Sequence, residues 1–337
     1  MTRFVCLSLL GLSLSVSPAL AATFYAGTCH AGSFSTISAA ANAAPAGSII
    51  NVCPGAYDEQ VVISKSLTLQ GLPNQAANQA EVRGVTTGGT TQSAVFGLDL
   101  QPTIWVKSGT VTIANLTVIA DEPGTSGCPL LATAILYASG STGTINHVVS
   151  LAEAPTTNCG VGIWAENTSL DASSIKIENS YIRAFNFGIL AASQQAEGFA
   201  PVLANTITGN TIVDAAHGVY LFQTRGKVSG NNILNDGLAV APPAVYGISQ
   251  NANSTIITAN WFSNMDQGVI IAVPFATVTN NKIAQVRNGI DLGCFANGTV
   301  SGNMIQGQNG LVDVPSTFIG TGKNIFFLAT NVALGGC

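Results

Sequence analysis

The sequence predicts an all-β chain wound as a parallel β-solenoid, and three observations predict it. The first is a repeat. Ile207-Thr208-Gly209-Asn210-Thr211-Ile212 returns as Val228-Ser229-Gly230-Asn231-Asn232-Ile233, Ile257-Thr258-Ala259-Asn260-Trp261-Phe262, Val278-Thr279-Asn280-Asn281-Lys282-Ile283 and Val300-Ser301-Gly302-Asn303-Met304-Ile305. The asparagines step by 21, 29, 21 and 22 residues, and Asn324-Ile325 is a weaker sixth copy. Periods in the twenties mark stacked supersecondary units, with longer steps absorbed as loops. The second is a glycine before an aliphatic residue, a few positions after most copies: Gly218-Val219, Gly247-Ile248, Gly268-Val269, Gly289-Ile290, Gly310-Leu311. The third is composition. Charged residues are 8%, where about 25% is usual, while Gly, Asn, Ser and Thr abound.

Two short strands per period, with Gly and Asn at the corners, leave no room for a helix. One coil cannot bury its own apolar side, but stacked coils bury a continuous core. Stacking also makes each corner asparagine the neighbour of the next. A ladder of such amides can bond along the stack, which removes the cost of burying them. A leucine-rich repeat fits worse because no Leu-x-Leu consensus recurs. A propeller blade needs about 40–45 residues.

Residues 1–21 read as a secretory signal. Arg3 gives the positive start, Val5–Val16 the apolar run and Ala19-Leu20-Ala21 the small-residue cleavage site. Cys6 lies inside the apolar run, which argues against a lipoprotein anchor. No other stretch approaches the roughly 18 apolar residues of a membrane span. The expectation is one exported domain over 22–337, periplasmic or extracellular. Without Arg3, ten basic and sixteen acidic residues remain, a net charge of −6. That disfavours nucleic acid and anionic membranes as partners.

Phe34–Ala44 is Ala-rich and stopped by Pro45, which predicts a short helix capping the open end of the solenoid. Ser48–Val52, Gln60–Ile63 and Ser66–Gln70 read as strands, the first two flanking a Pro54-Gly55-Ala56-Tyr57 turn. Ile37-Ser38-Ala39-Ala40, Ala44-Pro45, Val52-Cys53-Pro54-Gly55-Ala56-Tyr57-Asp58-Glu59 and Ser66-Leu67-Thr68-Leu69-Gln70-Gly71 together resemble the opening of pectin-lyase-like right-handed β-helix proteins. The close resemblance covers about fifty residues, the rest matching by repeat pattern alone. It implies a single-stranded right-handed parallel β-helix with an N-terminal capping helix. It implies little about activity, because esterases, lyases, hydrolases and inactive binding proteins share this opening.

Residues 72–101 are loop-rich and resist assignment to coils. Regular coils are expected over 111–326. Upstream copies centre on Asn115, Asn146 and Asn179, with Asn115 expected in the ladder. Six cysteines follow the signal: Cys29, Cys53, Cys128, Cys159, Cys294 and Cys337. An even count in an exported chain implies disulfides. Cys128 and Cys159 each lie 13 residues after an expected ladder asparagine, which predicts a bond between successive coils. Cys29 and Cys53 flank the helix and would staple it to the first coil, leaving Cys294 with Cys337. No Cys-x-x-Cys occurs and His30 is isolated, so no metal or cofactor is expected.

The resemblance makes the Gly-aliphatic strand the first sheet, the substrate face of that family. The residue after each glycine points inward and the next one outward, giving an outer column Trp164, Leu190, Tyr220, Ser249, Ile270, Asp291, Val312. Glu166 and Phe222 share that face. Aromatic rings beside carboxylates suit sugar rings and their hydroxyls, so Trp164, Glu166, Tyr220, Phe222 and Asp291 are the candidate substrate-binding residues. The alternative is that Trp164, Tyr220 and Phe222 pack under the nearby long loops. A second column precedes the glycines: Phe187, His217, Tyr246, Gln267, Asn288, Asn309. Ala216-His217-Gly218 resembles the Gly-His-Gly of polygalacturonases, with Asp214 three residues earlier, so Asp214 and His217 are the catalytic candidates. The family's paired aspartates and its Asn-Thr-Asp are absent, Arg225-Gly226-Lys227 lies too close, and pectin methylesterase motifs are missing. Binding of a polysaccharide along the first sheet is therefore the leading reading. A polysaccharide lyase or glycoside hydrolase is the alternative. A structural or assembly role, with Leu190, Ile270 and Val312 seating a partner, is the third.

Overall fold

The computed structural model describes residues 21–337 apart from 73–75, 77–78, 122–129, 154–158, 169–172, 195–202, 237–245, 252–253, 273, 294–296, 315–321, 330 and 335–337. Residues 1–20 of the expected signal segment and Cys128, Cys294 and Cys337 lie outside the described residues. The chain is a right-handed parallel β-helix of three stacked sheets with one short helix near its start.

One coil shows how the sequence builds all of them. Leu203–Thr208 lies in the second sheet, Thr211–Val213 in the third and His217–Phe222 in the first. Alternation sends Ile207, Ile212 and Val219 inward, each fully buried. Register stacks Ile207 on Val228, Ile257, Val278 and Val300. Ile212 stacks on Ile233, Phe262, Ile283 and Ile305. Each such side chain contributes about 1.5–3 kcal/mol.

The corner between second and third sheets is one residue in the left-handed region followed by one inward amide. Asn115, His147, Asn179, Gly209, Gly230, Ala259, Asn280 and Gly302 all have φ between 51° and 68°. Gly and Asn tolerate that conformation best. The next residue forms the ladder. Asn231 Nδ2 donates to Asn260 Oδ1 at 2.9 Å and to Ile207 O at 2.9 Å. Its Oδ1 accepts from Asn210 N and Nδ2, both at 2.9 Å. The same amide-to-amide bond links Asn210 through Asn324.

The ladder does not begin where the asparagines suggested. Asn115 and Asn179 are left-handed corner residues, and Asn146 sits one position earlier still, paired with Ala114 and Glu178. The ladder positions upstream are Leu116, Val148 and Ser180, all buried. Ser180 joins the ladder through its own N–H to Asn210 Oδ1 at 3.0 Å. Asparagine serves two adjacent corner positions for two different reasons, and spacing alone does not separate them.

The glycines of the first sheet answer a close approach rather than an unusual φ. A Cβ on Gly188 would lie 2.7 Å from Gly218 O and 2.7 Å from Ile212 Cγ2. On Gly289 it would lie 2.6 Å from Gly310 O and 2.5 Å from Ile305 Cγ2.

At the N-terminal end the helix is Ile37–Ala43, shorter than Phe34–Ala44. Thr36 caps it, accepting from Ala39 N at 3.1 Å, and both oxygens of Glu59 take first-turn amides, Ile37 N at 2.7 Å and Ser38 N at 2.9 Å. Ile37, Ala40 and Ala41 are buried on the first coil. The Cys29–Cys53 disulfide fastens that end, with Cα atoms 5.5 Å apart. Cys159 is also disulfide-bonded, while its expected partner Cys128 lies outside the described residues. The expected turn at residues 54–57 is instead largely a strand, Gly55–Asp58, paired with Ala80–Arg83 to open the third sheet.

Candidate functional site

The outer column of the first sheet stands as the alternation predicts. Trp164, Leu190, Tyr220, Ser249, Ile270, Asp291 and Val312 are register partners on successive coils. Leu136 and Trp105 extend it towards the N-terminus. The preceding column also holds, from Phe187 through His217, Tyr246, Gln267 and Asn288 to Asn309.

Exposure divides this face. Thr91–Gln92 pairs antiparallel with Asp99–Leu100, and residues 93–98 fold over the outer column. Leu100, Leu136, Val161, Trp164 and Leu190 form a second apolar cluster beneath, with Phe96, Phe187 and Tyr220 packed on it. Trp164 is 0% exposed and meets Phe96 edge-on at 5.9 Å. Glu166 is 4% exposed and accepts from Ser93 Oγ at 2.8 Å and Ala94 N at 3.1 Å. The expectation that Trp164 and Glu166 face an open groove is therefore corrected. The ring anchors the loop and the carboxylate ties down its turn. Leu190, at 3% exposed, is likewise covered rather than offered to a partner.

The cover ends at the coil of Tyr220, where Phe222 still meets Phe96 of the loop at 5.0 Å. Tyr220, Phe222 and His217 are half-buried, and Asp291 stands three coils on. His217 stacks on Phe187 with centroids 4.7 Å apart and planes 10° apart. Burial lowers its pKa and favours the neutral imidazole. Tyr220 lies 5.6 Å from Phe187 and 6.5 Å from Phe222, and burial raises the pKa of its hydroxyl. Burial also raises Asp291, opposed by the Gly293 N–H at 3.1 Å and helped by the nearby Asp313 charge.

Asp214 occupies the corner between third and first sheets, left-handed at φ 54° and buried. Its Oδ1 accepts from Asp236 N at 2.9 Å and its Oδ2 from Arg183 Nη2 at 3.2 Å. Arg183 also reaches Asp236 Oδ2 at 3.0 Å. Burial, then the Asp236 side chain, raises the Asp214 pKa, against the Asp236 N–H and the Arg183 charge. Both oxygens are thus engaged in fastening the corner. The carboxylate of Asp266, further along the chain, pairs with Arg287 at 2.8 Å. Among the described residues, no group of three or more His, Cys, Asp or Glu could hold a metal ion.

Sequence reasoning missed Trp261. It follows a ladder asparagine, so alternation turns it outward, and it is 56% exposed. Its counterparts on flanking coils, Asn232 and Lys282, carry polar side chains at that position, which was the available signal.

No curated protein matches the chain in sequence. Among solved structures, the chain is similar to PfbA, a surface adhesin of Streptococcus pneumoniae, at 16% identity and a TM-score of 0.55, covering 86% of this chain and 85% of that one. It is also similar to a GH136 lacto-N-biosidase from Eubacterium ramulus, at 8% identity and a TM-score of 0.52, covering 94% of this chain and 68% of that one. At these identities the likeness is one of fold. The family profile described as right handed beta helix region matches residues 161–331, half of the chain, and the protein belongs to that family of right-handed β-helix proteins.

Proposed function

We propose that this is an exported β-helix protein that binds polysaccharide along its first sheet, beyond the loop at residues 93–98. One observation carries the reading. Tyr220 and Phe222 stand half-exposed at the edge of the loop cover, packed on one side against the covered cluster and Phe96, with Asp291 in the same outer column three coils away. Three coil spacings are about 14 Å, the reach of a short oligosaccharide laid along the axis. Rings can stack on sugar faces and the carboxyl can take hydroxyls. The fold is shared with proteins described as a surface adhesin and a lacto-N-biosidase, which supports both a binding and a catalytic reading. Binding is favoured because Asp214 spends both oxygens on Arg183 and Asp236. Export to the periplasm or beyond is supported by the pattern of residues 1–21 and by the disulfides. No helix among the described residues is long and apolar enough to cross a membrane.

Affinity electrophoresis tests this reading. The mature chain should be retarded in gels carrying at least one of polygalacturonate, alginate or a neutral glucan, without releasing reducing ends or unsaturated uronates. Free migration in every gel contradicts binding. Product release abolished by Asp214→Asn or His217→Gln moves the protein to the lyase or hydrolase reading.

A further inference from the structure

An exposed indole, Trp261, stands on the outer face of the third sheet. Register places Asn232, Trp261, Lys282 and Met304 on successive coils, all pointing outward. Trp261 is 56% exposed, against 0% for Trp164. The backbone beneath the ring is rigid. Asn260 is bound through N to Asn281 Oδ1 at 2.9 Å and through Nδ2 to Val228 O at 3.0 Å, and Phe262 is fully buried. Met304 and Phe327, which share a depression with Trp261, are exposed too, so the outer third sheet carries an apolar patch and not one stray ring, which points to an occupant.

The surroundings of the ring say which occupant. The neighbouring corner residues are Gly230, Ala259 and Asn280, and the small size of the first two leaves a depression of about 410 Å³ walled by Trp261. Asn232, Asn280 and Lys282 line it. Lys282 is exposed and makes no ion pair among the described residues. An apolar partner seated here would bury two carboxamides and an ammonium without partners, at a cost. A pyranose ring has an apolar C–H face for the indole and hydroxyls for the amides. The ammonium adds a preference for a carboxylate, and the net charge of −5 makes that local contact, rather than long-range attraction, the source of selectivity.

We infer that the depression beside Trp261 is a second saccharide site, separate from the first-sheet face, that takes a uronic acid unit. The sugar face stacks on Trp261, hydroxyls meet Asn232 and Asn280, and the carboxylate meets Lys282. The inference does not depend on the first-sheet reading, because the two faces lie on different sheets.

Tryptophan fluorescence reads this site directly, since Trp261 is the most exposed of the three tryptophans. Tetragalacturonic acid titrated into the full chain should shift the emission to the blue, with maltotetraose as the uncharged control. Trp261→Ala should abolish the response at unchanged circular dichroism. Lys282→Ala should weaken the acid by about fivefold and bring it level with the neutral sugar. Tyr220→Ala should leave the response intact, which separates this site from the first-sheet face. Should Trp261→Ala lower the melting temperature, Asn232→Ala and Lys282→Ala carry the test alone. The inference is overturned by no response to either sugar or by a response that survives Trp261→Ala. It is also overturned if wild type self-associates in sedimentation and Trp261→Ala does not, which would make the patch an interface between two copies.

Discussion

Glu166 accepts a 2.8 Å hydrogen bond from Ser93, 73 residues earlier in the chain. This bond decides how much of the first sheet is open, because Ser93 Oγ also accepts from Phe96 N at 3.0 Å and so shapes the turn that covers Trp164. Glu166→Ala leaves the Ser93 hydroxyl and the Ala94 N–H without their acceptor, a cost of about 1–3 kcal/mol confined to the loop. Each 1.4 kcal/mol opens the loop about tenfold more often. Acrylamide quenching in a Trp261→Phe background should therefore rise in Glu166→Ala, with circular dichroism unchanged. Unaltered quenching would show that the loop is held by its apolar contacts alone.

The asparagine ladder should dominate local stability. Asn231→Ala strands the N–H and amide of Asn210 and takes a donor from Ile207 O. With about 1–3 kcal/mol for each stranded group, the loss should be about 3–5 kcal/mol. Asn232→Ala, one residue on and half-buried on the outer side, should cost within about 0.5 kcal/mol. Equal losses in urea melts would refute the ladder's role.

These two cases show what the sequence made legible. Spacing located every ladder residue from Asn210 onward and the outer column of the first sheet, because a period-2 strand allows one face assignment per register. It misread Asn115 and Asn179, because a left-handed corner and an amide ladder both select asparagine and lie side by side. It left Trp164 between two readings, because what covers an outer face is a tertiary fact. The loop at residues 93–98 reaches Trp164 from a stretch with no repeat to align. Trp261 went unread although the alternation that placed Tyr220 would have turned it outward too.

Burial of His217 predicts a pH dependence of stability. Its pKa in the folded chain lies below 6.5. Between that value and 6.5 the unfolded chain binds more protons, so stability falls as pH falls through the window. Asp214 is raised above 3.8, so its contribution has the opposite sign, declining as pH rises above that value. Wild type should melt lower near pH 5 than near pH 7.5. His217→Phe keeps the stack on Phe187 and should flatten the difference. An unchanged difference would assign the effect to other groups.

The central claim is that the open half of the first sheet, and not its covered half, holds a glycan. Calorimetric titration with the polysaccharide that retards the chain tests it, using Tyr220→Ala and Phe222→Ala together against Glu166→Gln and Trp164→Phe. Two stacking rings contribute about 1–3 kcal/mol beyond area burial. The double variant should therefore bind about tenfold or more weakly, measured well below its melting temperature because both rings also pack on the covered cluster or Phe96, while the two variants under the loop bind as wild type does. Wild-type affinity in the double variant, or a loss confined to the Glu166 and Trp164 variants, would contradict the account.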